Sequence, residues 1–203
     1  VEGFDQRAAD VAMKAARRAC ADHGGRDIEP SIPIAMRAKP FSIRGFLGLQ
    51  GERWVPVHGV FPMSKAQDAV KAVDAFFAER QSRLDAHDIH HSYLSSINGQ
   101  FWLLEPMFYW VDEVSEFHMR YLDRKRYAKF ESIPADPDAR ATVMAVRAEL
   151  RDLFHSMGAV SSQIGKFYDL PGALEPETYA VLTSIKDLLD PDRRLNPGNL
   201  GWR

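Results

Sequence analysis

The sequence predicts an α+β fold, in which a ferredoxin-like antiparallel sheet carries helices on one face and is followed by C-terminal helices and a tail. Two observations predict this class: a strand, helix, strand, strand order between residues 54 and 110, and three amphipathic helical patterns after it. The chain has 203 residues, which is the length of one domain or slightly more. A chain of this length can bury a substantial core.

The first part of the chain contains one clear element and two weaker ones. Alanines at helical spacing predict a helix over residues 5–23, which a Gly-Gly pair ends. Three prolines between residues 30 and 40 predict a connection with a short edge strand. Apolar segments at 46–49 and 54–61 flank a polar turn and therefore predict a hairpin.

A capped helix and a second hairpin follow. Ser64, with Gln67 three residues later, predicts a helix start, and apolar spacing continues the helix from residue 65 to about 84. Asn98-Gly99 separates two segments rich in aromatic and aliphatic residues, at 89–97 and 100–110, and is a strong hairpin signal.

Three more helical patterns occupy residues 114–129, 138–157 and 177–189. The third pattern places five apolar residues on one helix face, and such a face normally packs against another element. These residues are Val181, Leu182, Ile185, Leu188 and Leu189.

Composition excludes several classes of function. The 26 Lys and Arg residues nearly balance 28 Asp and Glu residues, so the chain lacks the basic surface that a nucleic-acid partner requires. The single cysteine, Cys20, cannot form an internal disulfide. No apolar run approaches the roughly 20 residues that span a bilayer, so we expect no membrane span and a cytoplasmic location.

The histidines offer few combinations suited to catalysis. His58 lies in a predicted strand beside Gly59, which permits close approach of another group; His58 is either a site residue or a hydrogen-bonded histidine of the sheet. His90 and His91 are adjacent and point to opposite faces of a strand, so they cannot bind one metal ion without distortion. The sequence contains no phosphate-binding loop, serine nucleophile elbow or His-Glu-x-x-His helix.

The C-terminal tail carries the most specific motif. Lys186 is followed by Asp190-Pro191 and then by Leu195-Asn196-Pro197-Gly198, which on physical grounds is a helix stop and a rigid turn. This order resembles the C-terminal signature of FAD-linked oxidases of the vanillyl-alcohol oxidase type, a family that includes D-lactate dehydrogenase and the glycolate oxidase flavoprotein subunit. The loop at Ile164-Gly165 lies at the family's distance upstream, and the strand at 54–62 is similar to the entry to the family's cap domain.

The resemblance covers nearly all of residues 1–203 and implies a domain organisation. Residues 30–135 would form the sheet-containing cap core, and residues 136–203 a helical tail that returns toward the flavin. The chain starts at Val1 without an initiator methionine. We therefore expect the N-terminal FAD-binding domain to be absent from this chain and the fragment alone to be inactive.

The resemblance also implies a reaction and its partners. A flavin-dependent dehydrogenase or oxidase of this kind transfers a hydride from an alcohol or hydroxy acid to FAD, while the cap orients the substrate and excludes water. The implied partners are that small-molecule substrate and the FAD-binding domain of the same protein. A homodimer is left open.

Six residues are the site candidates that the resemblance implies. Gln163, Lys166 and Asn196 would contact the cofactor, and His58, Asn98 and Trp102 would contact the substrate. Three of these candidates also have a purely structural interpretation: Lys166 as a surface lysine, Asn98 as a left-handed hairpin residue, and Trp102 as part of the core.

The chain departs from the metal-dependent members of the family. Their strand motif His-x-Gly-Asp-Gly-Asn-x-His aligns with Ser95 to Trp102, and their Glu-His-Gly-Ile-Gly loop aligns with residues 161–165. Ser95, Trp102, Ser161 and Ser162 then occupy the ligand positions, so we expect no metal.

Two other classes of function are the alternatives. One is a non-catalytic α+β binding or dimerisation module, which predicts a large exposed apolar patch. The other is a metal-dependent hydrolase that uses His58, His90 and His91.

Overall fold

A computed structural model describes residues 3–40, 44–163 and 165–202. The chain divides into two compact units, Val1–Ile43 and Arg44–Arg203. The first unit contains α1 (Gln6–Asp22) and α2 (Ser31–Ala38). The Asp5 carboxylate accepts a hydrogen bond from the Ala8 amide at 2.7 Å and caps α1, which confirms the predicted helix.

Helix α2 replaces the edge strand predicted for residues 30–40, so that prediction is wrong. Pro33 lies in the first turn of α2, where its missing N–H has no intrahelical partner to lose. The residues after it, Ala35, Met36 and Arg37, are strong helix formers.

The second unit has an antiparallel sheet of four strands combined with helices, which confirms the α+β class. The longest strand is central and pairs with one strand along one side and with two strands in succession along the other. The strands are β1 (Glu52–Pro56), β2 (Gly59–Pro62), β3 (His90–Asn98) and the central β4 (Phe101–Val111). The helices are α3 (Ala66–Asp85), α4 (Glu116–Tyr121), α5 (Arg124–Tyr127), α6 (Pro137–Ser156), α7 (Leu170–Ala173) and α8 (Pro176–Leu189).

Strands β1 and β2 form one interrupted edge. Pro56 lies opposite Met107 and Gly59 lies opposite Leu104, so both strands keep the same register on β4. Between them the Val57 amide donates to the Pro106 carbonyl at 3.0 Å. Because proline has no N–H, the reciprocal bond of this pair cannot form, and the ladder is interrupted there.

The hairpin predicted between 46–49 and 54–61 is wrong. Residues 46–49 form no strand, and a 3₁₀ turn over Arg44–Phe46 precedes β1. Phe46 instead stacks on Trp54, with ring centroids 6.0 Å apart. The long apolar β4 takes the place of a local partner because pairing with it buries more apolar surface.

The second hairpin, β3 with β4, is confirmed. Gly99, with φ +60°, takes the first of the two loop positions, where such a turn requires a positive φ. Asn98 pairs with Phe101 as the last residue of β3 and has no positive φ, so the left-handed alternative for Asn98 is wrong.

The core lies between one face of the sheet and two helices, α3 and α6. Alternate residues of β4 supply the sheet side, and apolar residues at helical spacing supply the other. Gly59 allows α6 to approach closely, because a Cβ there would lie 3.0 Å from the Phe154 ring and 3.1 Å from Ala159. The principal core residues are Val57, Phe61, Val73, Phe77, Trp102, Leu104, Phe108, Trp110, Val143, Val146, Leu150 and Phe154.

The predicted helix over 65–84 is confirmed as α3, but the predicted cap is wrong. A 3₁₀ turn over Met63–Lys65 leads into α3, and Lys65 precedes the helix without a side-chain cap. Ser64 lies inside that turn and therefore cannot act as the N-cap.

The later helices follow the predictions in two of three cases. α6 and α8 are confirmed, whereas the single helix predicted over 114–129 is wrong. Leu122 adopts an extended conformation, with φ −108° and ψ 150°, and separates α4 from α5. No helix in the described ranges is both long and apolar enough to cross a bilayer.

Helix α8 does not bury its apolar face. None of its fourteen residues is buried, although the predicted periodicity is present. Val181 is 60% exposed, Leu188 80% and Leu189 73%. This face is therefore available to a partner.

Asp112 connects the end of β4 to the start of α6. Its side chain is 1% exposed, and its carboxylate accepts two hydrogen bonds of 2.9 Å from the Arg140 guanidinium. The Asp136 amide, at the start of α6, donates to it at 2.9 Å, and Arg53 lies 3.4 Å away. Burial opposes ionisation, but the bonds from Arg140 and Asp136 outweigh it and hold the pKa of Asp112 well below its usual range.

We expect Asp112→Asn to lower the free energy of unfolding by about 3 kcal/mol, because it leaves Arg53 and Arg140 without their shared carboxylate. Urea denaturation at pH 7 measures this change. Asp152→Asn is the control, because Asp152 is 65% exposed and pairs with its sequence neighbour Arg151, so we expect a loss of under about 0.5 kcal/mol. Equal losses in the two variants would contradict the role given to Asp112.

Candidate functional site

The interruption between β1 and β2 contains His58. The continuous register places His58 opposite Glu105 of β4. His58 is 2% exposed, and its Nδ1 lies 3.9 Å from a Glu105 carboxylate oxygen. The alternation of the strand therefore brings two titratable groups together.

Both ring nitrogens of His58 are engaged by the loop that follows α6. The Ser162 backbone amide donates to Nε2 at 2.9 Å. Because an amide N–H only donates, Nε2 is the acceptor and the neutral ring carries its proton on Nδ1. Nδ1 is 2.9 Å from the Tyr168 hydroxyl and donates to it.

The Tyr168 hydroxyl accepts a second hydrogen bond, from the His58 backbone amide at 3.0 Å. His58 therefore fixes the phenol oxygen with two donors, one from its ring and one from its backbone. The phenolic proton of Tyr168 is not used by His58 and can be donated to another group.

Three pKa shifts describe the environment of this cluster. Burial lowers the pKa of His58, and the nearby Arg147 guanidinium lowers it further. Burial raises the pKa of Glu105. Burial also raises the pKa of Tyr168 against the opposing hydrogen bond from His58. The histidine is therefore neutral and the phenol protonated at pH 7.

Helix α6 and its following loop cover the outer edge of β1 and β2. Arg147 donates from Nε to the Pro56 carbonyl at 2.7 Å, and its guanidinium lies 3.6 Å from the centroid of the Phe167 ring. Val160 exchanges two backbone hydrogen bonds with Val60, at 2.8 and 3.1 Å. These bonds hold the loop where Ser162 and Tyr168 reach His58.

Two small cavities adjoin the cluster and share Tyr168 in their walls. One, of about 130 Å³, is lined by His58, Arg151 and His155 among others. The second, of about 120 Å³, is lined by Gln163, Gly165 and Leu200 among others. Their mixed polar and apolar walls suit a small molecule that carries a few polar groups.

The C-terminal tail returns to the same loop. The Leu200 amide donates to the Gly165 carbonyl at 3.0 Å. The Lys166 ammonium passes 3.7 Å from the point where a Cβ on Gly198 would lie. Asn196 begins this turn with φ +47°, and its carbonyl accepts from Asn199 at 3.1 Å. Ile164, the first residue of the Ile164-Gly165 motif, lies outside the described residues.

The structure brings four of the six predicted site residues into one region. Gln163 and Lys166 belong to the loop after α6, which contacts His58 through Ser162, and the turn that starts at Asn196 packs against this loop. Gln163, Lys166 and Asn196 are all exposed. Their roles as cofactor contacts stay predictions.

The other two predicted residues lie elsewhere. Asn98 is exposed at the hairpin end, opposite Phe101. Phe101 is four residues along β4 from Glu105, so Asn98 lies roughly 13 Å along the strand from the level of Glu105. Trp102 lies on the core face and lines a separate groove of about 200 Å³ with Tyr93. The substrate contacts assigned to Asn98 and Trp102 also stay predictions.

Sequence reasoning missed Tyr168 and Arg147, and it treated Glu105 only as an interruption of an apolar run. A lone carboxylate inside an apolar strand is a usable signal, because burial of a charge requires a reason. Tyr168 gave no signal, because its contact with His58 spans 110 residues and depends on the path of the loop.

The three histidines of the proposed hydrolase do not come together. The exposed His90 lies 3.2 Å from Asp88, and His91 stacks on Phe77 with ring centroids 3.9 Å apart. Within residues 3–40, 44–163 and 165–202, no group of three or more His, Cys, Asp or Glu side chains is arranged to hold a metal ion.

Comparison with known proteins adds one match. Residues 134–200 match the family described as FAD linked oxidases, C-terminal domain. The match supports a C-terminal domain of an FAD-linked oxidase. It covers α6, the loop that carries Ser162 and Tyr168, and the tail, and it ends before Trp202. No curated protein and no solved structure matches the chain.

The depressed pKa of His58 has a consequence for stability. The unfolded histidine binds a proton below about pH 6.5, whereas the folded one resists protonation, so the free energy of unfolding falls as the pH drops below that value. We expect His58→Gln to weaken this dependence between pH 7.5 and 5.5 in urea denaturation.

His90→Gln is the matched control for this experiment, because His90 is exposed. His91 and His118 also have pKa values lowered by burial, so part of the pH dependence remains in both variants. A pH dependence in His58→Gln that equals that of the unsubstituted chain would contradict the assignment.

Proposed function

We propose that this chain is the substrate-covering C-terminal part of a flavin-dependent oxidoreductase of the vanillyl-alcohol oxidase type. In this reaction, a hydride passes from an alcohol or hydroxy acid to FAD. The observation that carries the proposal is the family match over residues 134–200, because this segment holds Tyr168, Gln163 and the returning tail together.

The residues near the tail have the chemistry that a flavin ring requires. FAD, when bound, supplies the hydride acceptor. Gln163 and Asn196 present amide groups, and Lys166 presents an ammonium beside the turn at Gly198. Amide and ammonium donors suit the carbonyl oxygens of an isoalloxazine ring, and a positive charge there favours the reduced, electron-rich ring.

Tyr168 is the best substrate contact that the site offers. Tyr168 lines both cavities, and the remaining hydrogen bond of its hydroxyl is a donation. In the proposed reaction Tyr168 donates to the oxygen of the substrate alcohol and orients it. His58 acts through Tyr168 as a positioning residue, since the ring has no free nitrogen for the substrate.

The apolar face of α8 supports the expected domain partner. The exposed fractions of Val181, Ile185 and Leu188 are 60%, 49% and 80%. In the proposal, this face packs against the FAD-binding domain of the same protein.

The same exposed face also favours the second candidate, a non-catalytic binding module. Flavin content separates the two functions. When the full gene product that contains this chain is produced, the oxidoreductase proposal requires bound FAD and its reduction by an alcohol or hydroxy acid. A colourless protein that does not bind added FAD would overturn the proposal and leave the binding module.

In that FAD-containing protein, we expect Tyr168→Phe to lower kcat/KM by about 10- to 100-fold, because the substrate oxygen loses a hydrogen-bond donor. Flavin content, measured by absorbance after denaturation, should not change. Tyr121→Phe is the control, because Tyr121 is 56% exposed on α4. Unchanged kinetics in Tyr168→Phe would remove Tyr168 from the site.

For the cofactor side, we expect Lys166→Met to weaken FAD binding by about tenfold, through loss of a charged donor. Titration of the apoprotein with FAD measures the change. Lys71→Met, on the exposed surface of α3, is the matched control. Equal FAD affinity in the two variants would contradict the role proposed for Lys166.

A further inference from the structure

The two outer edges of the sheet differ. The edge formed by β1 and β2 is covered, since Val160, Tyr168 and Arg147 bond to its outward backbone groups. The opposite edge is the outer side of β3. No backbone hydrogen bond joins that side to any residue in the described parts of the chain.

The register identifies the backbone groups on the open edge. The bond from Val57 to Pro106 shows that the even residues of β4 direct their backbone groups toward β1 and β2. Odd residues of β4 therefore face β3, where Glu105 lies opposite Leu94. It follows that alternate residues of β3 direct one N–H and one C=O each to the outside. These residues are His91, Tyr93, Ser95 and Ile97.

The sequence of β3 has none of the features that protect an edge strand. His90–Asn98 contains no Lys, Arg, Asp, Glu or Pro, and its register on β4 runs without a bulge. Tyr93 is 43% exposed, Leu94 44% and Ile97 67%. An apolar groove of about 200 Å³ runs beside the edge, with Tyr93 and Ser95 in its wall. Such an edge is a template for another strand.

We propose that β3 pairs with β3 of a second copy of this chain, antiparallel, about a two-fold axis at Leu94. In this register Leu94 lies opposite its own counterpart, Tyr93 opposite Ser95, and His91 opposite Ile97. All four outward residues then form paired hydrogen bonds across the axis. A second copy suits this edge because the strand itself carries no carboxylate, ammonium or guanidinium group, so no like charges of these kinds lie opposite one another in the paired strands, and the Asp74 carboxylate in the groove wall accepts a hydrogen bond from the Tyr93 hydroxyl at 3.3 Å.

The contact continues the sheet from one copy into the other. The groove beside Tyr93 and Ser95 adjoins the axis, so the side chain of Tyr93 in each copy packs next to the groove of the other. This inference concerns an interface and is independent of the proposed oxidoreductase function.

Sedimentation velocity of the 203-residue chain over a concentration series tests the dimer. We expect Leu94→Lys and Leu94→Glu each to weaken dimerisation by at least about tenfold, because each places like charges opposite one another at the axis. An equimolar mixture of the two variants should dimerise again, since the charges are then complementary.

Leu188→Lys is the control, because Leu188 is 80% exposed on α8 and lies on a different apolar surface. We expect this variant to dimerise normally. A monomer throughout the series for the unsubstituted chain, or a dimer lost in Leu188→Lys and kept in Leu94→Lys, would overturn the proposal.

Cysteine cross-linking tests the register without adding charge. In a Cys20→Ser background, Leu94→Cys should form a disulfide dimer on mild oxidation, because residues at a non-hydrogen-bonded antiparallel pair have Cα atoms about 4.5 Å apart. Ser92→Cys is the matched control, since Ser92 lies opposite Ser96 of the second copy, roughly 13 Å from its own counterpart. Equal cross-linking at both positions would contradict the two-fold register.

Discussion

Pro106 has no amide hydrogen, and the candidate site lies where that missing donor interrupts the sheet. The residue lies in the central strand, so its absent bond interrupts the ladder to the neighbouring edge at Val57. The chain at this interruption is held from outside the sheet, by Arg147 at the Pro56 carbonyl and by Tyr168 at the His58 amide. The loop after α6 therefore docks beside this interruption of the ladder.

Asp112 determines where that loop begins. By binding Arg140 and the Asp136 amide, it fixes the first turn of α6 against the end of β4. From Pro137, at a rise of about 1.5 Å per residue, α6 then carries the chain roughly 26 Å to Phe154, which packs where Gly59 has no side chain. The site is thus located by a buried carboxylate at one end of α6 and a glycine near the other.

Local patterns predicted the elements whose signals lie within one segment. The apolar period of α3, α6 and α8 and the Asn98-Gly99 signal belong to this group. The hairpin expected at 46–49 failed because β1 pairs instead with a strand more than 50 residues away. For the site, His58 with Gly59 stood out in the sequence, whereas Tyr168 did not. Its importance arises only when the loop crosses the sheet edge, and that is a property of tertiary packing.

The hydroxyl of Tyr168 already accepts two hydrogen bonds, one from the ring and one from the backbone amide of His58. The hydrogen bond that it can still form is therefore one in which it donates its proton. A pocket with this wall selects by hydrogen-bond polarity as well as by size. Oxygen atoms with lone pairs, as in alcohols, ketones and carboxylates, satisfy it. An alkylammonium group offers only hydrogens at the same point and would leave two donors facing each other, so under the proposed function this wall disfavours the protonated amino analogue of a hydroxylated ligand.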